Sequence, residues 1–363
     1  MKNKKLIFIS FILLISMIFC SCGSTADTQA TNNIAPQASP LDGMAVHFID
    51  VGQADCELIT ANGYSILIDG GNVDDGESVV EYLKAHSITR LDAVFATHAH
   101  EDHVGGLADI INAFEVKSVY SPTKSSTTKC FNAFVAAAEK QCGVTVVEGG
   151  RDISFGNMHI RLLWPYNVEA LDANNSSIVM RVTYGNISFM FTGDVEKECE
   201  TKIVESSEAL SANVLKVAHH GSSSSTGYLF LRSVMPQFAV ISCGKGNSYG
   251  HPHQETLDIL EQAEVKTYRT DELGTVVATT DGEKISFAYG NSLDTVEGEA
   301  RTAALDLQQA TVAPTGEYIG NKKSKKYHVP TCASLPIEAN RVYFATSDEA
   351  EGAGYTPCAN CIK

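Results

Sequence analysis

Between residues 44 and 290 apolar positions recur with two different periods, and the switches between them divide the chain into elements. Segments 45–49, 56–59, 65–68 and 91–96 are apolar runs of strand length, whereas 76–85 places its apolar residues at helical spacing. The same reading predicts helices at 104–114, 129–141, 196–205, 228–233 and 255–263. It predicts further strands near 118–120, 160–163, 178–183, 187–191, 214–217, 239–242 and 276–279. Strands mixed with helices imply a layered α/β body whose sheets are covered by helices. Pattern alone does not choose among such folds.

The two ends of the chain read differently. Lys2, Lys4 and Lys5 precede an apolar run at 6–19 that is short for a membrane span and has the anatomy of a secretory signal. Ser21-Cys22-Gly23 then resembles a bacterial lipobox, with Phe19 standing where leucine is usual. The expectation is a lipoprotein signal peptide over 1–22, lipidation of Cys22, and a mature chain held by its acyl chains on the outer face of the cytoplasmic membrane. Residues 23–43, without apolar periodicity, read as a disordered tether.

At the other end, 291–315 reads as a linker and 316–363 as a small module. There His328-x₃-Cys332 faces Cys358-x₂-Cys361, two pairs of donors whose spacing predicts one structural Zn²⁺. So short a segment has little core and needs a staple. A disulfide between two of the three cysteines leaves His328 unexplained. Lys322, Lys323, Lys325 and Lys326 form a basic cluster that either meets DNA or is a solvated turn. Cys56, Cys130, Cys142, Cys199 and Cys243 lie mostly in apolar elements and are expected in the core.

Length and charge set broad limits. With 363 residues, 44% of them hydrophobic, there is room for one large domain and a small accessory one. A net charge of -16 argues against a surface built mainly to neutralise a nucleic-acid backbone. It leaves room for a nuclease whose metal ions meet the phosphate locally.

The chemistry is concentrated in Thr97-His98-Ala99-His100-Glu101-Asp102-His103-Val104-Gly105-Gly106, directly after the apolar strand at 91–96. Four donors fall within six residues at a strand end that opens into a helix. Imidazole and carboxylate are ligands for Zn²⁺ and Mn²⁺. On a loop, His98 and His100 can grip one ion while Asp102 and His103 point to a second. Gly105-Gly106 lets another stretch of backbone pass close by.

This HxHxDH pattern resembles the signature of the metallo-β-lactamase superfamily, which implies a four-layer αββα sandwich and two divalent ions, Zn²⁺ or Mn²⁺. Asp69 in Leu67-Ile-Asp-Gly-Gly71 matches the early aspartate that orients a ligand histidine. Asp194 in Phe191-Thr-Gly-Asp matches the carboxylate that bridges the ions, and His219-His220 matches the late histidine motif. Phe48-Ile-Asp-Val-Gly-Gln-Ala-Asp55, Asn174-Asn-Ser-Ser-Ile-Val179 and Tyr249-Gly-His-Pro-His253 narrow the likeness. Together they are similar to the extracellular hydrolase domain of ComEC-type DNA-uptake proteins and their stand-alone relatives, over roughly 44–289. The last 45 or so residues resemble the zinc domain of the Ada DNA-repair protein, with His328 where that family has a cysteine.

One departure stands out. The superfamily usually supplies a further histidine between the HxHxDH loop and the bridging aspartate, and the only histidine there is His159, in a strand-like segment. It is expected to be a buried or edge-strand residue rather than a ligand, so the first ion has fewer protein ligands, is weakly bound, or draws on His219 or His220. Leaving a strand end, those two adjacent residues should not point the same way. His251 is a candidate for contacting a leaving group or a substrate phosphate, and Asp50 either braces the metal loop or caps a turn.

The resemblance implies that Asp194 holds two ions, that hydroxide between them is the nucleophile, and that Asp102 orients it. The leading expectation is a phosphodiesterase or nuclease acting on DNA outside the cell, with a DNA-uptake channel as a partner. The alternatives are a lactone, thioester or β-lactam hydrolase on the same scaffold, and a non-catalytic zinc-containing surface binding protein.

Overall fold

A computed structural model describes residues 43–206, 208–290, 292–294, 318–329, 332, 335, 336, 340–344, 346–359, 361 and 362. The expected signal peptide, Cys22, the tether up to residue 42 and most of the expected linker lie outside them. Among the described residues no helix is long and apolar enough to cross a membrane.

Two sheets form the body. One has nine strands in the order Ser292–Asp294, Ile285–Tyr289, Val276–Thr280, Met44–Phe48, Glu57–Ala61, Tyr64–Ile68, Ala93–Phe95, Val119–Ser121 and Val144–Val146. Neighbours are antiparallel up to Tyr64–Ile68 and parallel from there on. The other has seven strands in the order Lys266–Arg269, Phe238–Ile241, Val214–Lys216, Ile187–Phe191, Val179–Tyr184, Met158–Trp164 and Asp152–Phe155. Its first four are parallel and the rest antiparallel.

Side-chain alternation along the strands separates the layers. Ile66, Ile68, Phe48 and Phe95 of the first sheet share one core with Ile160, Val182, Phe189 and Phe191 of the second, and the Phe48 and Phe191 rings stack across the gap at 6.2 Å. Leu67 and Val94 face the other way, onto Val79, Leu83, Leu107 and Phe131 of the helices Gly76–Ala85, Leu107–Ala113 and Lys129–Glu139. Met190, Leu215 and Ala239 meet Cys199, Ile203, Phe230 and Leu260 of the helices Lys197–Glu205, Tyr228–Val234 and Gln254–Gln262. The result is helices, sheet, sheet, helices, as the motif resemblance implied.

Some details depart from the sequence pattern. The helix expected at 104–114 is two, Glu101–Val104 and Leu107–Ala113, broken at Gly105-Gly106. A Cβ at Gly105 would sit 2.3 Å from the Val73 nitrogen and one at Gly106 2.3 Å from the Gly70 carbonyl oxygen, so both glycines are required for space. The strands at 144–146, 152–155, 266–269 and 285–289 are additional. Cys56, Cys199 and Cys243 are buried as expected and Cys130 is half-buried, but Cys142 is exposed in the turn after Lys129–Glu139.

The C-terminal module is a four-stranded sheet ordered Arg341–Phe344, Tyr318–Asn321, Lys326–His328 and Thr356–Pro357, with the short helix Ser347–Gly352. Thr346 caps that helix by accepting a hydrogen bond from the Glu349 N–H. Tyr228 of the body packs against Ile319, Cys332, Leu335 and Cys358, and Arg341 Nη2 donates to its hydroxyl at 3.2 Å.

Candidate metal centre

Parallel strands of both sheets bring their C-terminal ends to one place, where sites usually lie in open α/β architectures. Ala93–Phe95 runs into Thr97 to His103, Ile187–Phe191 into Asp194, and Val214–Lys216 into the His219-His220 turn.

Two sets of donors that share Asp194 converge there. His98, His100 and Asp194 form one, and Asp102, His103, Asp194 and His220 the other, each with its ligand atoms within 4.8 Å of one another. Asp194 belongs to both. Its Oδ1 lies 3.3 Å from His103 Nε2, and its Oδ2 lies 3.9 Å from His98 Nε2 and 3.8 Å from His220 Nε2. His98 Nε2 is 3.1 Å from His100 Nδ1, and His220 Nε2 is 3.3 Å from Asp102 Oδ2.

Outer partners hold the far side of His98, His103 and His220. His103 Nδ1–H donates to Asp69 Oδ2 at 2.7 Å. Asp69 also accepts from the Thr97 N–H at 2.7 Å and from the Thr97 hydroxyl at 2.6 Å. The single proton of that hydroxyl is therefore committed, so toward His98 Nδ1, 3.2 Å away, Thr97 Oγ1 only accepts. A proton on His98 Nδ1, which Thr97 Oγ1 can accept, leaves Nε2 unprotonated toward Asp194. The Ser177 hydroxyl, 3.3 Å from His98 Nδ1, accepts from the Asp194 N–H at 2.9 Å and so ties that ligand to the bridging one. His220 Nδ1 donates to the Ser242 carbonyl at 3.0 Å and lies 3.3 Å from Asp55 Oδ1. Outer partners of this kind fix the tautomer and aim of a ligating histidine.

The electrostatics call for cations. Burial pushes His98 well below the usual imidazole range. Burial also opposes charge on His103, but Asp194 and Asp69 outweigh it and push its pKa well above that range. At His220 burial is likewise outweighed, by Asp194, Asp55 and Asp102, and the pKa rises to about 10. His103 Nε2 and Asp194 Oδ1 are buried without a hydrogen bond. Orphaned buried polar atoms are costly, and a cation between them would satisfy both. Imidazole with carboxylate is a donor set suited to Zn²⁺ and Mn²⁺.

The remaining candidates fall into place around this centre. His219 and His220 both have positive φ, 52° and 53°, so strand alternation does not send them apart. Both Nε2 atoms approach Asp194 Oδ2, at 3.7 and 3.8 Å. His219 stands outside the two donor sets, with its Nδ1 3.2 Å from the Ser224 hydroxyl. His159 is exposed on its strand, 2.9 Å from the Ser154 hydroxyl, and belongs to no donor set. His251 stands at the rim, its ring 5.7 Å from that of His219, while His253 Nδ1 accepts from the Ser223 N–H. Asp50 is exposed and accepts from the Gly52 N–H, which is a turn cap.

Sequence reasoning missed Lys216. Fully buried at the end of its strand, it pairs with Asp55 at 2.8 Å beneath His220. A lysine inside Val214-Leu-Lys-Val217 was the available signal, because a charge in an apolar strand needs a partner. Asp55, at the end of the Phe48–Asp55 segment, is that partner. Ser177 was also missed.

In the module, His328, Cys332, Cys358 and Cys361 form a donor set of their own. His328 Nδ1 lies 3.2 Å from Cys332 Sγ and 4.0 Å from Cys361 Sγ. The three cysteines are free thiols. One imidazole and three sulfurs gathered on a small sheet suit a tetrahedral zinc ion.

A two-sheet sandwich with histidine and aspartate donors at the strand ends defines a metallo-β-lactamase fold, and residues 49–129 match the metallo-beta-lactamase superfamily. Residues 308–363 match the metal binding domain of Ada. The chain is 33% identical over 250 residues to ComE operon protein 3 of Bacillus subtilis, covering 64% of this chain and 32% of that protein. It is 31% identical over 222 residues to Recombination protein 2 of Haemophilus influenzae, covering 60% and 26%. It is 28% identical over 243 residues to Competence protein ComA of Neisseria gonorrhoeae, covering 65% and 32%. The chain thus spans a third or less of the length of these relatives. It carries a metallo-β-lactamase domain joined to an Ada-type metal-binding domain, and its relatives include ComEC-type competence proteins.

Proposed function

We propose that the domain hydrolyses phosphodiester bonds in DNA outside the cell, held at the membrane by a lipid on Cys22 and working beside a DNA-uptake channel. The observation that carries this reading is Asp194, one carboxylate shared by two donor sets. When bound, a pair of divalent cations supplies positive charge for the phosphoryl oxygens and acidifies water. The names of the recombination and competence relatives favour DNA as the substrate.

The chain's own residues do the positioning. Asp194 aligns the two donor sets through a backbone that Ser177 anchors. Asp102, whose side chain is 31% exposed, is the carboxylate best placed to orient a water and accept its proton. His251 faces the substrate side. Burial and the neighbouring histidines lower its pKa to about 4, so it is neutral near pH 7. Gln53 Oε1 accepts from the Gly244 N–H, which aims Gln53 Nε2 at His251 Nδ1, 3.3 Å away. The imidazole proton is thereby placed on Nε2, where it can donate to a leaving or phosphoryl oxygen.

The four-donor set of the module would hold a structural zinc ion. A screen with added Mn²⁺ or Zn²⁺ tests the substrate class, using single- and double-stranded DNA, a small phosphodiester, a lactone, a thioester and a β-lactam. DNA cleavage that is lost in Asp194→Ala is the expected result. A protein inert on DNA but active on the lactone or thioester, and equally sensitive to Asp194, would overturn the nuclease reading and retain the metal centre.

A further inference from the structure

The loop at 244–250 stands at the rim of the metal centre and presents an aromatic ring that no packing requires. Tyr249 is 68% exposed, more than any other large apolar side chain among the described residues. One of its faces rests on His251, with centroids 5.6 Å apart and planes at 23°. His251 in turn lies 6.4 Å from His220, again at 23°. Three near-parallel rings thus run from solvent to a residue of the metal centre.

The loop that carries the ring is held firmly. Asn247 Oδ1 accepts from the N–H groups of Tyr249 and His251, at 3.1 and 3.0 Å. Asn247 Nδ2 donates to the carbonyls of Gly244 and His251, at 2.8 and 2.6 Å. Gln53 ties the base of the loop to the body through Gly244 at 3.0 Å. An exposed aromatic on a braced loop keeps its orientation without being buried, which lowers the ordering cost of binding a flat partner. Lys245, exposed on the same loop, adds a positive charge.

We propose that Tyr249 is a stacking platform for a nucleobase, so that the substrate enters as single-stranded nucleic acid with one base unstacked onto this ring. The proposal rests on the phosphodiesterase reading of the same site. Every base has a π-face, so a platform of this kind grips a strand without selecting sequence, whereas paired bases inside a duplex cannot reach it.

The test is binding by the full-length, metal-loaded protein, read by fluorescence anisotropy with hydrolysis-resistant phosphorothioate oligothymidylate. The control is the same backbone without bases. Tyr249→Leu should weaken binding of the oligothymidylate about tenfold, Tyr249→Phe should bind as wild type does, and the base-free chain should not distinguish the three proteins. Equal affinity of wild type and Tyr249→Leu for the oligothymidylate overturns the platform. So does an equal loss on the base-free chain, or no binding by wild type. DNA cleavage is measured separately: base-dependent binding without cleavage defeats only the hydrolytic reading, and cleavage with a silent Tyr249→Leu defeats only the platform.

Discussion

The two metal-donor regions of this chain are built on opposite principles. In the large domain the donors sit at strand ends of two packed sheets, and the His98, His103 and His220 rings are aimed by partners that the sandwich itself supplies: Asp69, Ser177, the Ser242 carbonyl, and the Asp55–Lys216 pair. That centre is open on one side, with His100 exposed and Asp102 partly so. In the module His328, Cys332 and Cys358 are buried, and only Cys361 is half-buried. Among the described residues they share a small cluster with Ile319, Leu335, Val329, Tyr343 and Tyr228. A large core can hold ligands ready before an ion arrives and leave one face for substrate. A segment of under fifty residues lacks that core, so the ion itself must supply much of the folding free energy.

Breaking each region in turn should therefore have different consequences. The largest effect is expected in the module. Cys358→Ser with Cys361→Ser should unfold residues 318–362, since structural zinc contributes on the order of 10 kcal/mol in comparable small domains. Limited proteolysis should trim that segment and stop near residue 294, leaving the sandwich intact. Protection of the tail in this variant would show that the module folds on its own packing.

In the sandwich the corresponding weak point is the buried charge pair. Lys216→Met removes the buried cation that Asp55 Oδ2 pairs with and should lower stability by about 3–5 kcal/mol. Adding Asp55→Asn should restore part of it, as read from denaturant midpoints. A Lys216→Met protein as stable as wild type would mean that the pair supports nothing. Smaller again, Asp69→Asn should leave the fold in place but weaken metal binding by roughly 10–100-fold, because His103 loses its orienting carboxylate. Calorimetric titration with Mn²⁺ measures that loss. Smallest of all, His159→Ala should change stability by less than about 0.5 kcal/mol and leave metal affinity unchanged. A clear loss of metal affinity would make His159 the middle ligand that the structure keeps away from the donor sets.

Much of the site is legible in the sequence because it is local. His98 to His103 lie within one turn-length of chain, and Asp69, Asp194 and His219-His220 each end an apolar strand, so motif and period agree. The Lys216–Asp55 pair was hidden because its members are 161 residues apart and nothing local links them. Ser177 was hidden because a serine carries no chemical signature until the Asp194 N–H is found to donate to it. Of the fold, the strands missed were short or half-exposed. Asp152–Phe155 alternates only between exposed and half-buried positions, so its hydrophobic period is weak. The break at Gly105-Gly106 is a matter of backbone crowding against Val73 and Gly70, which periodicity does not register.

The most direct test of a shared carboxylate joining two donor sets is the number of ions per chain, measured by elemental analysis of full-length wild type and Asp194→Ala. Wild type should hold three, two in the sandwich and one in the module. Asp194→Ala should retain the module's ion alone, with its folding cooperativity preserved and its hydrolytic activity gone. An Asp194→Ala protein that still binds three ions, or still cleaves substrate at the wild-type rate, would mean that Asp194 does not join the two sets.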